Sequence, residues 1–263
     1  MTKRKIDAHA YTLFEQHRDA AVFTPFVGDA AIENVAEAYE IQRALVELEL
    51  AHFNVSIVGY KIGLTSERMQ ALLGIDSPIA GVVLGNRIHQ SGVQVNLSDY
   101  VKLGIECEIA VRLGSDLAAT DAPFNVATIA QVIDAVCPAF ELIDDRAADY
   151  SVTDIASLIA DNSWNAGIVL GQWSSEWPNL ATLDGVVKRN GEILDRGNGA
   201  DVLGHPFAAL AWLANHLSHQ DRGLKAGDVV ATGSIVPTRA PSGPESCVFD
   251  IEQLGEVSVA ISD

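Results

Sequence analysis

The chain has 263 residues, of which 48% are hydrophobic and 20% charged, a composition typical of a globular protein with a sizeable core. Its formal net charge of −18 disfavours nucleic acid and anionic membranes as partners, because both require a cationic surface. The three cysteines, Cys107, Cys137 and Cys247, are scattered, so they predict neither a disulfide framework nor a zinc site and fit a reducing compartment. No apolar run has signal-peptide or membrane-spanning length, and we therefore expect a cytoplasmic protein.

The N-terminal region, residues 6–52, has the apolar periodicity of helices. Asp29 is a candidate N-cap for a helix with one apolar stripe. The stripe consists of Ile32, Val35, Tyr39 and Val46. The composition changes from helical to strand-and-turn near residue 55, which predicts an N-terminal helical region (1–55) before the remaining chain (56–263).

A short apolar strand is predicted at residues 56–62, and another apolar run follows at residues 79–84. Between them, Thr65 or Ser66 can cap a short helix that ends at Gly74. Lys61 lies in the first of these strands, next to glycines. A lysine in such surroundings either pairs structurally with an acid or serves as an anion-binding or acid/base group, and the sequence leaves both open.

The stretch from Lys102 to Leu113 alternates as a strand does, with Glu106 and Glu108 on one face. Two carboxylates about 7 Å apart on one strand face repel each other, and burial would be costly for both. Either this face is exposed to solvent or a divalent cation lies between the carboxylates. The pattern alone is compatible with both.

Asn125 begins a predicted helix that Pro138 ends. Its apolar face consists of Val126, Ile129, Ile133 and Val136. Residues 139–143 form a second short strand that carries Glu141, a third acidic residue in apolar surroundings. Three carboxylates on strands are what Mg²⁺ or Mn²⁺ requires, although Glu141 could instead form a core ion pair with Arg146 or Arg112.

The remaining chain predicts a short helix at 153–160, a strand at 168–170 and a hairpin at 186–194 that turns at Asn190-Gly191. A helix at 206–219 precedes three strands, at 229–232, 247–251 and 257–261. Because the strands cluster without regular crossover helices, we predict an α+β fold with a mixed β core and helices around it.

Six segments carry a resemblance to a known family. They are Gly59–Ser66, Gly74–Pro78, Glu106–Glu108, Glu141–Arg146, Ala160–Asn162 and Ala231–Ser234. The six segments occur in the same order in 2-keto-4-pentenoate hydratases and the related 4-oxalocrotonate decarboxylases of the fumarylacetoacetate hydrolase superfamily. The chain resembles these proteins over residues 10–262. The resemblance implies the β-roll of that superfamily in residues 56–263.

The resemblance implies a site with Mg²⁺ or Mn²⁺ held by Glu106, Glu108 and Glu141. It also implies acid/base or orienting roles for Lys61 and Asp76, although Asp76 by itself would be an ordinary turn residue. Five further residues are expected near the substrate: Thr65, Ser66, Asp161, Trp164 and Ser234. Trp164 stands where the hydratases often have a small residue, and it is either a pocket wall or a core anchor.

The implied function is metal-dependent addition of water to a 2-hydroxy-2,4-dienoate, such as 2-hydroxypenta-2,4-dienoate, in aromatic-compound catabolism. The product would be a 4-hydroxy-2-oxo acid. The alternatives are decarboxylation of a 2-oxo-dioate such as 4-oxalocrotonate and a non-catalytic scaffold that binds a 2-oxo acid. The implied partners are this small-molecule substrate, further copies of the chain in a homo-oligomer, and the downstream aldolase of the pathway.

Overall fold

The computed structural model describes residues 1–66, 69–71 and 74–263. The helices in this part are α1 (Lys3–Arg18), α2 (Val35–Phe53), α3 (Val126–Ala130), α4 (Ile155–Ala160) and α5 (Pro206–Ser218). The strands are β1 (Ile57–Gly63), β2 (Ile79–Leu84), β3 (Ile88–Gln90), β4 (Val93–Asn96), β5 (Leu103–Leu113), β6 (Ile133–Asp144), β7 (Asn165–Leu170), β8 (Asp184–Arg189), β9 (Glu192–Asn198), β10 (Val229–Ser234), β11 (Glu245–Ile251) and β12 (Gly255–Ser262).

The strands form two mixed sheets. The first has the order β2-β1-β10-β5-β6-β7-β3, and the second has the order β4-β12-β11-β8-β9. The fully buried rings of Phe140 on β6 and Phe249 on β11 lie 6.2 Å apart, so the sheets pack against each other. The predicted α+β fold, a mixed β core with surrounding helices, is confirmed.

The first sheet is strongly curved. Side chains from β2 and β7, which lie near opposite ends of the strand order, meet in one small apolar cluster. Its buried members are Val83, Ala110, Cys137, Ala139, Ile168, Leu170, Val229 and Ala231. Glu108 and Glu141 lie two residues from Ala110 and Ala139 on the same strands, and strand alternation therefore places both carboxylates on this concave face.

The N-terminal region contains two helices separated by an irregular segment at residues 19–34. Asn34, not the predicted Asp29, caps α2, because its side chain accepts a hydrogen bond from the Glu37 N–H. Asp29 lies in a short 3₁₀ turn, and Ile32 precedes the helix. Buried residues of α2 belong to the same core as the sheets, while the boundary at residue 55 stays a prediction.

The helix predicted from Asn125 to Pro138 is wrong beyond Ala130, although Asn125 does cap its first turn. Ile133, Val136 and Pro138 belong to β6, because an apolar run at helical spacing also suits a strand that is buried on both faces. Pro138 lies where the regular pairing of β6 with β7 ends. Its carbonyl accepts a hydrogen bond from the Gly171 N–H, just beyond β7. Proline is tolerated here because its missing N–H faces this end of the pairing.

The later predicted elements are confirmed. The hairpin β8–β9 turns at Asn190 and Gly191, whose φ values of 51° and 84° are those of a tight two-residue turn. Part of the helix predicted between Thr65 and Gly74 lies outside the described residues. None of the helices in the described ranges combines the length and the apolarity that crossing a bilayer requires.

Candidate metal centre

Three carboxylates converge at one end of the concave face. Glu106 and Glu141 lie directly opposite each other on β5 and β6, and Glu108 follows two residues along β5. One oxygen from each carboxylate lies within 4.8 Å of the other two. Glu108 and Glu141 are fully buried, and Glu106 is half-buried. A solvent-exposed face therefore does not account for the alternating glutamates.

The electrostatics of this trio, Glu106, Glu108 and Glu141, fit a divalent cation. Burial raises the pKa of Glu108 well above its ordinary value, and the neighbouring carboxylates raise it further. Burial likewise raises the pKa of Glu141 to about 7. Glu108 Oε2 accepts from the Gly233 N–H at 2.8 Å, but Oε1 has no partner within the described ranges. A buried oxygen without a donor, beside two further carboxylates, suits a hard cation such as Mg²⁺.

Lys61 on β1 supplies the positive charge next to the trio. Its Nζ lies 3.1 Å from Glu141 Oε1, and its side chain is almost fully buried. Although burial lowers it, the neighbouring carboxylates raise the pKa of Lys61 above its ordinary value. One ammonium against three ionised carboxylates leaves two negative charges, which a divalent ion would balance. Neither Arg146 nor Arg112, the partners considered from the sequence, pairs with Glu141.

Glycine makes room for this arrangement at two positions. A Cβ on Gly81, opposite Lys61 in the strand register, would lie 2.7 Å from the Asn162 carbonyl oxygen and 3.2 Å from the lysine side chain. Gly233 has a φ of 118°, and a Cβ there would lie 2.3 Å from Thr65 Oγ1. Buried Thr65 therefore packs against the β10 backbone at Gly233, whose N–H donates to Glu108.

A left-handed turn lies beside Lys61 and β2. Asn162, Ser163 and Trp164 have φ values of 51°, 51° and 60°, a conformation that costs about 1–2 kcal/mol for each residue other than glycine. Hydrogen bonds to β2 hold it. The Asn162 amide donates to the Val82 carbonyl at 2.9 Å and accepts from the Val82 N–H at 2.7 Å.

Asn165 directly follows this turn and contacts the trio. Its Nδ2 donates to Glu141 Oε1 at 3.0 Å, on the same oxygen that Lys61 contacts. Sequence reasoning missed Asn165. An asparagine at the start of an apolar strand carries no signal of its own, and the contact depends on the left-handed turn before it.

The family is shown by comparison with known proteins. A family model described as "Fumarylacetoacetate (FAA) hydrolase C-terminal" matches residues 69–262. The chain belongs to the fumarylacetoacetate hydrolase family.

Relatives within the family are similar over nearly the whole chain. The 2-keto-4-pentenoate hydratase 2 of Dechloromonas aromatica (strain RCB) is 32% identical over 96% of this chain and 95% of its own. A 4-oxalocrotonate decarboxylase from a Pseudomonas species is 30% identical over 97% of both. The solved 4-oxalocrotonate decarboxylase from Pseudomonas putida G7, complexed with magnesium and adipate, superposes with a TM-score of 0.93 at 28% identity, over 99% of this chain and 98% of that one.

Asp161, one of the residues that family resemblance placed near the substrate, lies in a buried ion network. Its two carboxylate oxygens bind Arg146 and His17, each at 2.6 Å. Although burial opposes the effect, His17 and Arg146 hold the pKa of Asp161 below its ordinary value. The network joins α1 to the end of α4, and no hydrogen bond between described residues links it to the three glutamates.

Ser234 and Trp164 also make structural contacts. The Ser234 hydroxyl donates to the Val236 carbonyl at 2.7 Å and accepts from the Cys107 N–H at 3.1 Å, beside the irregular pairing of β10 with β5. The Trp164 ring lies edge-on to Phe23 and Tyr150, with centroids 5.3 and 5.7 Å away. This packing favours the core-anchor role of Trp164, and its contact with substrate stays a prediction.

Asp76 and Ser66 lie on the segment between β1 and β2. Asp76 is exposed, and none of the hydrogen bonds between described residues joins it to the trio. Ser66 is half-buried, and its backbone carbonyl accepts from the Met69 and Gln70 N–H groups at 3.0 Å. The predicted roles of both residues stay predictions.

Proposed function

We propose that the protein is a divalent-metal-dependent hydratase that adds water to a 2-hydroxy-2,4-dienoate, such as 2-hydroxypenta-2,4-dienoate, in aromatic-compound catabolism. The observation that carries the proposal is the convergence of Glu106, Glu108 and Glu141 beside the ammonium of Lys61. Similarity to named hydratases over nearly the full chain supports the same reaction class.

The three glutamates would hold Mg²⁺ or Mn²⁺, since each offers one oxygen to a common point. When bound, the ion supplies Lewis-acid stabilisation of negative charge on an oxygen of the substrate. Asn165 and Lys61 both contact Glu141 Oε1, so they orient that carboxylate within the trio. The Lys61 ammonium would then lie next to the substrate oxygen on which the enolate charge develops.

The reaction has two stages, ketonisation of the dienol and addition of water, and each includes proton transfer. In the first, the 2-hydroxyl of the dienol loses its proton and C5 gains one, which gives 2-oxopent-3-enoate. In the second, water adds its hydroxyl to C4 and a proton reaches C3, which gives 4-hydroxy-2-oxopentanoate. We assign these proton transfers to Lys61 and Asp76, with the division between them open, because Lys61 is a buried donor at the trio and Asp76 lies in the loop before β2.

Decarboxylation is the second candidate, because 4-oxalocrotonate decarboxylases are similar to this chain at comparable identity. Both reactions pass through an enolate of a 2-oxo acid, so the glutamate trio serves either. They differ at the far end of the substrate, where a dioate carries a second carboxylate that needs a donor or cation.

The test is product identification. The purified protein with Mg²⁺ is incubated separately with 2-hydroxypenta-2,4-dienoate and with 4-oxalocrotonate, and the products are identified by mass. The proposal expects the dienol to gain one water at a higher kcat/KM than the dioate loses CO₂. Faster CO₂ release would establish the decarboxylase instead. Binding without turnover of either compound would leave only the non-catalytic scaffold.

We further propose that the protein acts in the cytoplasm as a homo-oligomer. Its product, a 4-hydroxy-2-oxo acid, is an aldol, so the reaction that consumes it is a retro-aldol cleavage and the partner is an aldolase. Light scattering of the purified chain tests the oligomer, and a monomer would refute it. Co-purification with a retro-aldol activity from the source cells tests the complex.

A further inference from the structure

Glu106 is the member of the trio that its surroundings fix least. It is half-buried, whereas Glu108 and Glu141 are fully buried. Its Oε1 accepts a hydrogen bond from the Thr238 hydroxyl, and among the described residues this is the one hydrogen bond to the Glu106 side chain. The direction of this carboxylate therefore depends on Thr238, an exposed residue in the segment between β10 and β11.

A register shift places Thr238 opposite Glu106. Near Ala231, which lies opposite Ala110, β10 pairs regularly with β5. The same register, if continued, would place Ile235 opposite Glu106. Extra residues after β10 form a β-bulge and bring Thr238 to this position instead. Cross-strand neighbours share one face of a sheet, so the hydroxyl lies on the concave face with the trio.

Backbone hydrogen bonds hold this segment independently of the Thr238 side chain. Arg239 and Ile105 exchange two of them, at 2.7 and 2.9 Å. The Ile235 N–H donates to the Cys107 carbonyl at 2.9 Å. The segment is therefore paired with β5 on both sides of the glutamate. A substitution of Thr238 that keeps the shape of the side chain should leave this backbone in place.

The methyl group of Thr238 restricts the direction of its hydroxyl. A Cβ on Gly104 would lie 3.3 Å from Thr238 Cγ2 and 2.6 Å from Ile143 Cγ1. The threonine methyl therefore packs over a glycine, in a space that a larger residue would crowd. A β-branched side chain is stiff at χ1, so this packing directs the hydroxyl towards the carboxylate.

We propose that Thr238 is the positioning residue for Glu106 in the metal centre. Its hydroxyl holds one carboxylate oxygen and leaves the other to coordinate the ion, so less side-chain freedom is lost when the ion binds. Thr238 touches neither the ion nor the reacting atoms in this role. The inference rests on the proposed function, because it takes Glu106 as a ligand of the ion.

Calorimetric titration of the metal-free chain with Mg²⁺ tests this role. Thr238→Val keeps the shape and removes the hydroxyl, so its Kd for Mg²⁺ should rise about tenfold or more. Thr238→Ser keeps the hydroxyl and should recover most of the affinity. Thr12→Val is the matched control, because Thr12 is exposed on α1 and its hydroxyl donates to the Ala8 carbonyl. The control should bind Mg²⁺ as the parent does.

Two further measurements separate positioning from a structural or a catalytic role. In EDTA, the urea midpoint of Thr238→Val should match that of the parent, because the backbone of the segment is held by other contacts. With 2-hydroxypenta-2,4-dienoate, the Mg²⁺ concentration for half-maximal rate should rise about tenfold, while kcat at saturating Mg²⁺ stays within about twofold of that of the parent.

The calorimetric result does not require turnover, so it separates this inference from the proposed reaction. A parent chain that binds no Mg²⁺ would overturn the proposed function and this inference together. An affinity in Thr238→Val equal to that of the parent would overturn this inference alone. An equal loss of affinity in Thr238→Ser or in Thr12→Val would also overturn it, because the hydroxyl on Glu106 would then not account for the effect.

Discussion

Replacement of Glu108 by glutamine should stabilise the metal-free protein while it abolishes the response to metal. Glu108 is fully buried, and its Oε1 has no partner in the described ranges. The side-chain oxygen of glutamine keeps the hydrogen bond from the Gly233 N–H, and its amide nitrogen donates where the unpaired oxygen lay. The variant therefore removes an unfavourable buried acid without removing a structural contact.

The size of the effect follows from the raised pKa of Glu108. In the unfolded chain the carboxyl ionises near its ordinary pKa of 4.5, whereas the folded protein holds the proton to a much higher pH. The protonated Glu108 carboxyl therefore makes its full contribution to stability below its pKa in the unfolded chain. This contribution is lost as the pH rises towards its pKa in the folded protein. Each pH unit in that window costs about 1.4 kcal/mol, which glutamine avoids, and a comparison of pH 5.5 with pH 7.5 tests for this loss.

Urea unfolding in EDTA at these two pH values measures the difference. We expect the free energy of unfolding of Glu108→Gln to exceed that of the parent at pH 7.5, by a margin that shrinks at pH 5.5. Addition of Mg²⁺ should then stabilise the parent and leave the variant unchanged. Glu192→Gln, on the exposed β8–β9 hairpin, is the matched control and should follow the parent throughout. A variant that is less stable than the parent in EDTA at pH 7.5 would refute the reasoning.

Two further substitutions test the contacts of the trio, and a third tests the buried ion network of Asp161. Lys61→Met should lower kcat by about 10² or more because it removes the ammonium beside Glu141, and an unchanged kcat would remove Lys61 from catalysis. Asn165→Ala should weaken Mg²⁺ binding about 10–100-fold in calorimetry, because Glu141 loses its orienting donor, and an unchanged affinity would make Asn165 structural. Arg146→Met should lower the free energy of unfolding by about 3–5 kcal/mol, because Asp161 stays buried with only His17, and a loss below about 1 kcal/mol in urea titration would contradict that network.

Strand alternation in the sequence predicted the two carboxylates of β5 correctly, because period-two patterning depends only on local geometry. The position of Glu141 opposite Glu106 depends on the register between two strands separated by a long connection, and nothing local encodes it. The pairing of Lys61 with Glu141 depends further on the curvature of the sheet. For this reason the sequence suggested Arg146 or Arg112 as the partner of Glu141.

Two errors came from local ambiguity. The apolar spacing after Asn125 fits a helix face and a doubly buried strand equally well, and the long pairing with β5 decides between them. The N-cap of α2 lies five residues beyond the one predicted, since both Asp29 and Asn34 are competent caps and the irregular segment before Val35 sets the choice. The buried network of Asp161, Arg146 and His17 joins residues far apart in sequence, which no local pattern predicts.

The central claim is that the three glutamates bind one divalent ion, and anomalous diffraction from crystals soaked in Mn²⁺ tests it most directly. We expect one strong peak at the manganese edge, at about 2.0–2.3 Å from an oxygen of each of Glu106, Glu108 and Glu141. The same soak of Glu108→Gln crystals should lose most of that peak. A parent crystal with no peak among these carboxylates, or with its strongest peak elsewhere, would contradict the account.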